Sequence, residues 1–214
     1  CIAFHTYLSS MTICHKRKLI FVHIPKNAGT SIMKSMGVEN IFGDKNIEEY
    51  KKHYKNYWNV YKKFTVVRDP IDRFISAYKF ARMKESGYFS ATGQERLEKH
   101  HHYDICNKID INQYAYFLYK NPVEFDRWTI PQTFHLYNEK QQIEIDYVVR
   151  FENLLEDLRK ININKIEKLN CSKINDDRII KLTKKSKKIL HEIYELDYHN
   201  FSYVKDLNYI FDYQ

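Results

Sequence analysis

The stretch KLIFVHIPKNAGTSIMKSM spans residues 18–36 and contains three successive local patterns. Residues 18–24 form a short apolar run rich in isoleucine and valine, which predicts a buried parallel strand. Residues 25–29, Pro-Lys-Asn-Ala-Gly, break that run. Residues 30–36 then predict a helix that ends at Gly37. A strand, a tight loop and a helix in this order indicate the beginning of an α/β nucleotide site.

The loop and the first helical turn contain groups that suit a phosphate. A helix N-terminus carries unpaired backbone N–H groups and partial positive charge. The small residues Ala28 and Gly29 allow an anion to approach that backbone closely. Thr30 and Ser31 add hydroxyl donors, and Lys26 adds a mobile positive charge. The predicted phosphate loop comprises Pro25, Lys26, Asn27, Ala28, Gly29, Thr30 and Ser31.

This loop differs from the Walker A motif of ATPases and kinases. Walker A requires G-x-x-x-x-G-K-[ST], with the lysine in the final turn. Here Lys26 stands four residues before Thr30, and Gly29 immediately precedes Thr30. The sequence also has no clear acidic residue at the end of an apolar strand to hold Mg²⁺. A nucleotide-dependent phosphotransferase with a variant phosphate loop nevertheless stays open as the alternative function.

A second motif, Arg-Asp-Pro-Ile-Asp-Arg-Phe-Ile-Ser, covers residues 68–76 and directly follows a predicted strand over 64–67. Pro70 is suited to the first turn of the helix that comes next. Arg68 lies at the carboxyl end of the strand, where α/β sheets bind ligands, and Ser76 lies two turns along the helix. An arginine and a hydroxyl together predict a site for a second, separate phosphate.

The rest of the chain repeats the alternation of strands and helices. A third strand is predicted over 146–149, and further helices over 46–58, 111–119, 152–160 and 178–196. This order predicts an α/β fold with a parallel β-sheet flanked by helices. Residues 1–17 are interpreted as an N-terminal extension, and residues 18–214 as a single domain.

Composition limits the classes of function. The chain has 214 residues, of which 43% are hydrophobic, and a formal net charge of +8, which suits an anionic partner. A nucleic-acid-binding module is not expected, because no RNP or helix-turn-helix pattern is present. No apolar stretch approaches the roughly 18 residues of a membrane span. The four cysteines form no C-x-x-C pair, and the run His100–His102 is interpreted as a solvated loop, so no metal site is predicted.

The two motifs closely resemble the 5′-phosphosulfate loop and the 3′-phosphate motif of sulfotransferases that use 3′-phosphoadenosine 5′-phosphosulfate (PAPS). The most similar group is the carbohydrate sulfotransferases, both Golgi-type and bacterial. Weaker similarity follows at Pro131-Gln132, at 150–154 and at Asp197-Tyr198. The resemblance implies a P-loop-like fold and transfer of a sulfuryl group from PAPS to a hydroxyl or amine of a carbohydrate, with PAP as the product. An acidic glycan or a glycolipid is a candidate acceptor.

The resemblance also implies roles for individual residues. Lys26, Gly29, Thr30 and Ser31 would hold the 5′-phosphosulfate, with Lys26 also catalytic, while Arg68 and Ser76 would hold the 3′-phosphate. His53 is the preferred general base, because relatives have a catalytic histidine in this interval. Glu49 is a reserve base. Gln132 and His135 are expected to line the acceptor pocket.

Two further points stay open. A cytoplasmic enzyme of the bacterial type is preferred, and an excised Golgi luminal domain is the alternative. The sequence leaves the oligomeric state and the identity of the acceptor undecided.

Overall fold

The computed structural model describes residues 12–38, 45–84, 88–89, 95–96, 99–166 and 180–205. Within them, four strands form one sheet in the order β1-β2-β3-β6. These strands are β1 (Ile13–Cys14), β2 (Leu19–Val22), β3 (Lys62–Val67) and β6 (Tyr147–Arg150). Strands β2, β3 and β6 run parallel, whereas β1 is antiparallel to β2. The predicted α/β fold with a mainly parallel sheet is confirmed.

Helices occupy most of the remaining described chain. They are α1 (Gly29–Met36), α2 (Ile47–His53), α3 (Pro70–Ala81), α4 (Tyr103–Lys108), α5 (Ile111–Lys120), α6 (Gln132–Leu136), α7 (Leu154–Arg159), α8 (Lys184–Ile193) and α9 (Glu195–Asn200). Short 3-10 turns lie at Pro122–Glu124 and Phe151–Asn153, and the two-residue strands β4 (Tyr88–Phe89) and β5 (Glu95–Arg96) pair with each other. In the described part of the chain, none of the helices has the length and apolarity to span a bilayer.

Apolar side chains cover both faces of the sheet. Alternate residues of a strand point to opposite faces. Leu19 and Phe21 pack in one cluster with residues of α1 and α7, and Phe21 stacks on Phe64 of the neighbouring strand at 5.0 Å between ring centroids. Ile20 and Val22 pack in the other cluster with α2. Strand β2 and residues 64–67 of β3 are therefore buried on both faces, as expected for parallel strands, whereas Tyr147 and Val148 of β6 are exposed.

A third apolar cluster connects helices α3, α5 and α8. Phe74 of α3 stacks on Tyr114 of α5, with ring centroids 5.7 Å apart. Leu118 of α5 and Leu190 of α8 are fully buried in the same cluster. This cluster fixes α3, the helix that continues the second sequence motif.

Strand β1 lies inside the segment that the sequence analysis interpreted as an N-terminal extension. The pairing of β1 with β2 is continued by the backbone N–H of Phe21, which donates to the Thr12 carbonyl at 2.7 Å. The Thr12 backbone N–H in turn donates to the Tyr54 hydroxyl at 2.8 Å. Residues 12–14 are thus attached to the sheet and to the end of α2, whereas residues 1–11 lie outside the described residues.

Two predicted helices are shorter than expected. The helix predicted over 46–58 ends at His53 and continues as turns, although Tyr54 and Trp58 remain buried. The helix predicted over 178–196 ends at Ile193, and its first residues, 178–179, lie outside the described residues.

The end of α8 changes which side chains face inward. Helix α9 begins at Glu195 after the break at Tyr194, whose hydroxyl donates to the Thr129 carbonyl at 2.8 Å. A single helix over 178–196 would place Leu196 on its inward face, and this expectation is wrong, because the side chain is 39% exposed. The helical period restarts after the break, so Tyr194 and Tyr198 are buried instead.

Candidate functional site

The loop between β2 and α1 has an unusual backbone. Lys26 and Ala28 both adopt left-handed conformations, with φ of 71° and 61°. Such conformations in neighbouring residues form a concave turn of backbone N–H groups that suits an anion. Ala28 is the N-cap of α1 and makes no side-chain cap hydrogen bond, and the first turn of this helix has no acidic residue. The predicted phosphate loop therefore has the shape and the charge that an anion requires.

Gly29 is also required by packing. A Cβ atom at this position would lie 2.0 Å from Nε2 of His23. His23 follows β2 and is buried. The imidazole and the loop backbone therefore approach each other so closely that no side chain fits between them.

Arg73 connects the loop to the segment 127–130 through hydrogen bonds. This residue of α3 is buried, and its guanidinium donates hydrogen bonds to the carbonyls of Pro25 at 3.0 Å, Ile130 at 2.8 Å and Arg127 at 3.1 Å. The sequence analysis did not single out Arg73. A usable signal was its spacing of four residues before Ala77, because both side chains lie on the buried face of the helix.

Gln132 joins the two predicted phosphate motifs. Its Oε1 accepts from Asn27 Nδ2 at 2.7 Å and from the backbone N–H of Arg68 at 2.9 Å. Its Nε2 donates to the Arg68 carbonyl at 2.8 Å. The side chain is completely buried, so the structure gives it a joining role. The expected contact of Gln132 with an acceptor stays a prediction.

Asp197 holds the beginning of α6 in place. Its carboxylate accepts from the backbone N–H groups of Gln132 and Thr133, both at 2.8 Å, and from the Thr133 hydroxyl at 2.8 Å. Burial raises the pKa of Asp197, and these backbone donors oppose that effect. The motif Asp197-Tyr198, noted only as a weak similarity, thus supports Gln132 and through it the loop.

Arg68 lies beside the loop, at the carboxyl end of β3. One guanidinium nitrogen donates to the Lys26 carbonyl at 3.4 Å, and the guanidinium carbon lies 4.3 Å from the ring centre of Phe151. Among the described residues, none accepts a hydrogen bond from the buried Nε of Arg68. Burial lowers the pKa of Arg68, and nearby carboxylates, Asp72 first, partly offset this. A partly buried cation with an unsatisfied donor is suited to bind an anion.

Lys26 extends over an aromatic ring of α3. Its ammonium lies 3.8 Å from the ring centre of Phe80. Ser76 precedes Phe80 by four residues on the same helix, so the two side chains lie on one face. The predicted 3′-phosphate residue Ser76 is therefore on the face of α3 that Lys26 reaches.

His53 is the last residue of α2 and is exposed. Its ring packs edge-on against Tyr54 at 4.8 Å between centroids. Partial burial, together with the positive charge of Lys45, lowers the pKa of His53 below the ordinary value of histidine. A neutral imidazole near pH 7 is the form that a general base needs. The catalytic role of His53 stays a prediction.

The reserve base and the second expected acceptor residue have structural partners. Glu49 is part of a capping box with Asn46, in which each side chain bonds the backbone N–H of the other residue. His135 is buried, and its Nε2 lies 3.1 Å from the Arg127 carbonyl oxygen. The proposed roles of Glu49 and His135 in catalysis and acceptor binding also stay predictions.

The interpretation of His100–His102 as a solvated loop is wrong. His100 and His102 are 3% and 4% exposed, whereas His101 is exposed. His100 packs edge-on against Trp128 at 4.7 Å, and His102 lies near Tyr114 of α5. The hydrophilic appearance of this stretch in sequence hides its contacts with aromatic residues far along the chain.

Together these features define an α/β protein with two adjoining motifs, predicted to bind anions, at the carboxyl ends of β2 and β3. A family model described as the sulfotransferase family matches residues 9–204, and the chain belongs to that family. It is therefore a transferase of sulfuryl groups. The chain has no significant match among curated proteins or solved structures.

Proposed function

We propose that this protein transfers a sulfuryl group from PAPS to a hydroxyl or amine of a carbohydrate and releases PAP. The observation that carries the proposal is the contact of both phosphate motifs with one side chain. Gln132 Oε1 accepts from Asn27 of the loop and from the backbone of Arg68. This shared contact supports a single site for a donor with two separate anionic groups.

The side chains present fit the anionic groups of PAPS. The loop around Lys26 and Ala28 offers a concave backbone at a helix N-terminus for the 5′-phosphosulfate. Arg68 offers a buried Nε for which the described residues supply no acceptor, and Ser76 offers a hydroxyl, for the 3′-phosphate. A charged donor paired with a phosphate oxygen gives a short and strong hydrogen bond.

PAPS supplies a sulfuryl group that is activated by its bond to a phosphate. Lys26 belongs to the loop, and its ammonium stabilises the negative charge on the leaving phosphate. His53 accepts the proton of the acceptor hydroxyl, a contribution of about 10²–10⁴-fold. The lowered pKa of His53 keeps its imidazole neutral and ready for that proton.

A carbohydrate acceptor is proposed from the resemblance of the two motifs to carbohydrate sulfotransferases. The net charge of +8 supports an acidic glycan or an anionic glycolipid among the possible carbohydrates. A screen with labelled PAPS against neutral glycans, acidic glycans and glycolipids identifies the acceptor class. Transfer to a protein or a phenol but to no glycan would contradict the carbohydrate proposal and leave the donor proposal intact.

The donor is tested by calorimetric titration of the purified protein with PAP, with AMP and with ATP plus Mg²⁺. We expect PAP to bind selectively, because AMP lacks the 3′-phosphate that Arg68 and Ser76 would hold. A preference for ATP with Mg²⁺ would instead favour the phosphotransferase alternative.

A further inference from the structure

Three consecutive histidines and one aspartate form a compact cluster outside the phosphate motifs. His100, His101 and His102 immediately precede α4, and Asp126 lies in the segment between the 3-10 turn at 122–124 and α6. The side chains of His100, His102 and Asp126 are 1%, 5% and 11% exposed, while that of His101 is 50% exposed. The cluster is thus buried on three sides and open on one.

The potential ligand atoms of these four residues converge. One atom from each residue can be chosen so that all four lie within 4.8 Å of one another. Nε2 of His100 and Nε2 of His101 lie 3.0 and 3.3 Å from Oδ2 of Asp126. Metal–ligand bonds of about 2.0–2.2 Å in a tetrahedron separate the ligand atoms by about 3.3–3.6 Å. The observed spacing is close to what a metal ion requires.

Hydrogen bonds fix the orientation of the Asp126 carboxylate. Its Oδ1 accepts from the backbone N–H groups of Trp128 and Thr129, both at 2.9 Å, and from the Thr129 hydroxyl at 2.8 Å. Its Oδ2 is buried, and no donor in the described part of the chain is aligned for a hydrogen bond with it. One oxygen is therefore fixed by the fold, while the other faces Nε2 of His100 and Nε2 of His101 at 3.0 and 3.3 Å.

We propose that His100, His101, His102 and Asp126 bind a divalent transition-metal ion. Neutral imidazoles with one carboxylate suit zinc, cobalt, nickel or copper, whereas magnesium and calcium prefer oxygen ligands alone. The exposed side at His101 provides access for the ion.

Neighbouring hydrogen bonds support His102 as a ligand. Its Nδ1 lies 2.9 Å from the Tyr114 hydroxyl, and its Nε2 lies 3.2 Å from Glu124 Oε2. A ligating histidine commonly bonds an outer partner through its second nitrogen, as Nδ1 does here with Tyr114. Glu124 places a second carboxylate next to the cluster.

Hydrogen bonds at His100 and His102 must change when the ion binds. The His102 backbone N–H donates to Nδ1 of His100 at 3.0 Å, so the neutral His100 ring carries its proton on Nε2. Coordination through Nε2 moves that proton to Nδ1 and breaks this bond, and coordination through Nε2 of His102 replaces its 3.2 Å contact with Glu124 Oε2. His101 and Asp126 need no such change, which makes them the residues to vary.

The cluster borders the proposed transfer site through two aromatic side chains. The ring centroid of His100 lies 4.7 Å from that of Trp128 and 6.2 Å from that of Phe80. The ammonium of Lys26 packs on the face of the same Phe80 ring. A bound ion would hold the wall of aromatic rings beside Lys26 in one arrangement. The metal site itself does not depend on the proposed donor or acceptor.

The site is tested by titrating Co²⁺ into full-length, tag-free protein that has been treated with a chelator. We expect one Co²⁺ per chain, visible d–d absorption of a four- or five-coordinate ion, and displacement by one equivalent of Zn²⁺. Asp126→Asn keeps Oδ1 as an acceptor, and His101→Gln alters an exposed side chain. Each variant should bind Co²⁺ at least ~10-fold more weakly. His199→Gln, at an exposed histidine of α9, should bind as the unaltered protein does.

Co²⁺ binding to the urea-unfolded chain distinguishes a site formed by the fold from the affinity that three consecutive histidines have for metal ions in any chain. Binding of equal strength by folded and unfolded chains would overturn the proposal, since the run is present in both. Unchanged affinity in folded His101→Gln and Asp126→Asn, verified by circular dichroism, would also overturn it. So would the absence of Co²⁺ binding by the unaltered protein.

Discussion

Nδ2 of Asn27 donates a 2.7 Å hydrogen bond to Oε1 of Gln132, a residue 105 positions further along the chain. Both side chains are completely buried. The same Nδ2 also donates to the Val66 carbonyl of β3 at 2.7 Å. One asparagine amide therefore attaches the phosphate loop to the sheet and to α6 at once.

Replacing Gln132 by leucine should lower the stability of the protein. The change leaves the Arg68 backbone N–H and one Asn27 donor proton buried without their acceptor, at a cost of about 1–3 kcal/mol per unsatisfied group. Urea unfolding measures the loss in the free energy of unfolding. Gln142→Leu alters an exposed glutamine and should stay within about 0.5 kcal/mol of the unaltered protein. Equal stability of the two variants would contradict the joining role of Gln132.

Gly29→Ala should destabilise the protein through a clash with His23. The added Cβ would lie 2.0 Å from His23 Nε2, and overpacking of this kind costs about 1–3 kcal/mol. His23→Ala should recover part of that loss in the double variant, which a double-mutant cycle measures. Gly37→Ala is the control: its Cβ would meet open space, and only its φ of 71° opposes the change. Rescue of Gly37→Ala by His23→Ala would rule out the proposed clash.

Arg68→Ala should weaken PAP binding by more than about 1 kcal/mol, because it removes a charge-assisted contact with phosphate. The PAP affinity of Arg68→Lys should lie between those of the unaltered protein and Arg68→Ala, since an ammonium keeps the charge but not the planar fork. Calorimetry with PAP measures both affinities. Arg159→Ala, at an exposed residue of α7, serves as the control. PAP affinity that is unchanged in Arg68→Ala would exclude Arg68 from the 3′-phosphate site.

Lys26→Ala should lower turnover more than donor affinity. A charge that acts mainly on the leaving phosphate contributes in the transition state, where one such donor is worth about 10²–10³-fold in kcat. Steady-state kinetics with labelled PAPS, together with PAP calorimetry, separate the two effects. Lys34→Ala, on the exposed side of α1, should change neither. A loss confined to PAP affinity would make Lys26 a binding residue only.

The pH dependence of transfer tests His53. Its pKa is lowered by partial burial and by Lys45, so the protonated, inactive form appears only below the ordinary pKa of histidine. The rate kcat/KM should therefore fall on the acidic side with an apparent pKa below that value. His53→Gln should slow transfer and remove this fall of kcat/KM on the acidic side. Glu49→Gln preserves the capping box but removes the carboxylate, and kcat/KM should still fall on the acidic side. Loss of this acidic fall in Glu49→Gln would indicate that Glu49 is the general base.

Local patterns predicted the part of the site that is local in sequence. The run at 18–24, the break at 25–29 and the start of α3 at Pro70 each depend on neighbouring residues, and the structure has all three features. Arg68 at the end of β3 follows from the same reasoning, because a strand end fixes the place of the next residue.

The parts that the sequence analysis missed depend on distant partners. Arg73 received no role from the sequence, because its partners lie at Pro25 and in 127–130. His100 was read as solvated, although Trp128 and Asp126 bury it. A hydrophobic period cannot reveal a polar side chain whose burial depends on carbonyls or carboxylates of another segment.

Arg73 has a consequence for the order of events in folding. Its guanidinium donates to carbonyls of the loop and of a segment more than fifty residues beyond Arg73 itself. Contacts of such long sequence separation form only after much of the chain entropy has been lost. Strand β2 and α1 can therefore approach their final shape early, whereas the loop acquires its fixed position only with the docking of residues 127–130. A nascent chain that ends before Arg127 would contain the whole phosphate loop. It would still lack the carbonyls of Arg127 and Ile130, through which Arg73 fixes the position of that loop.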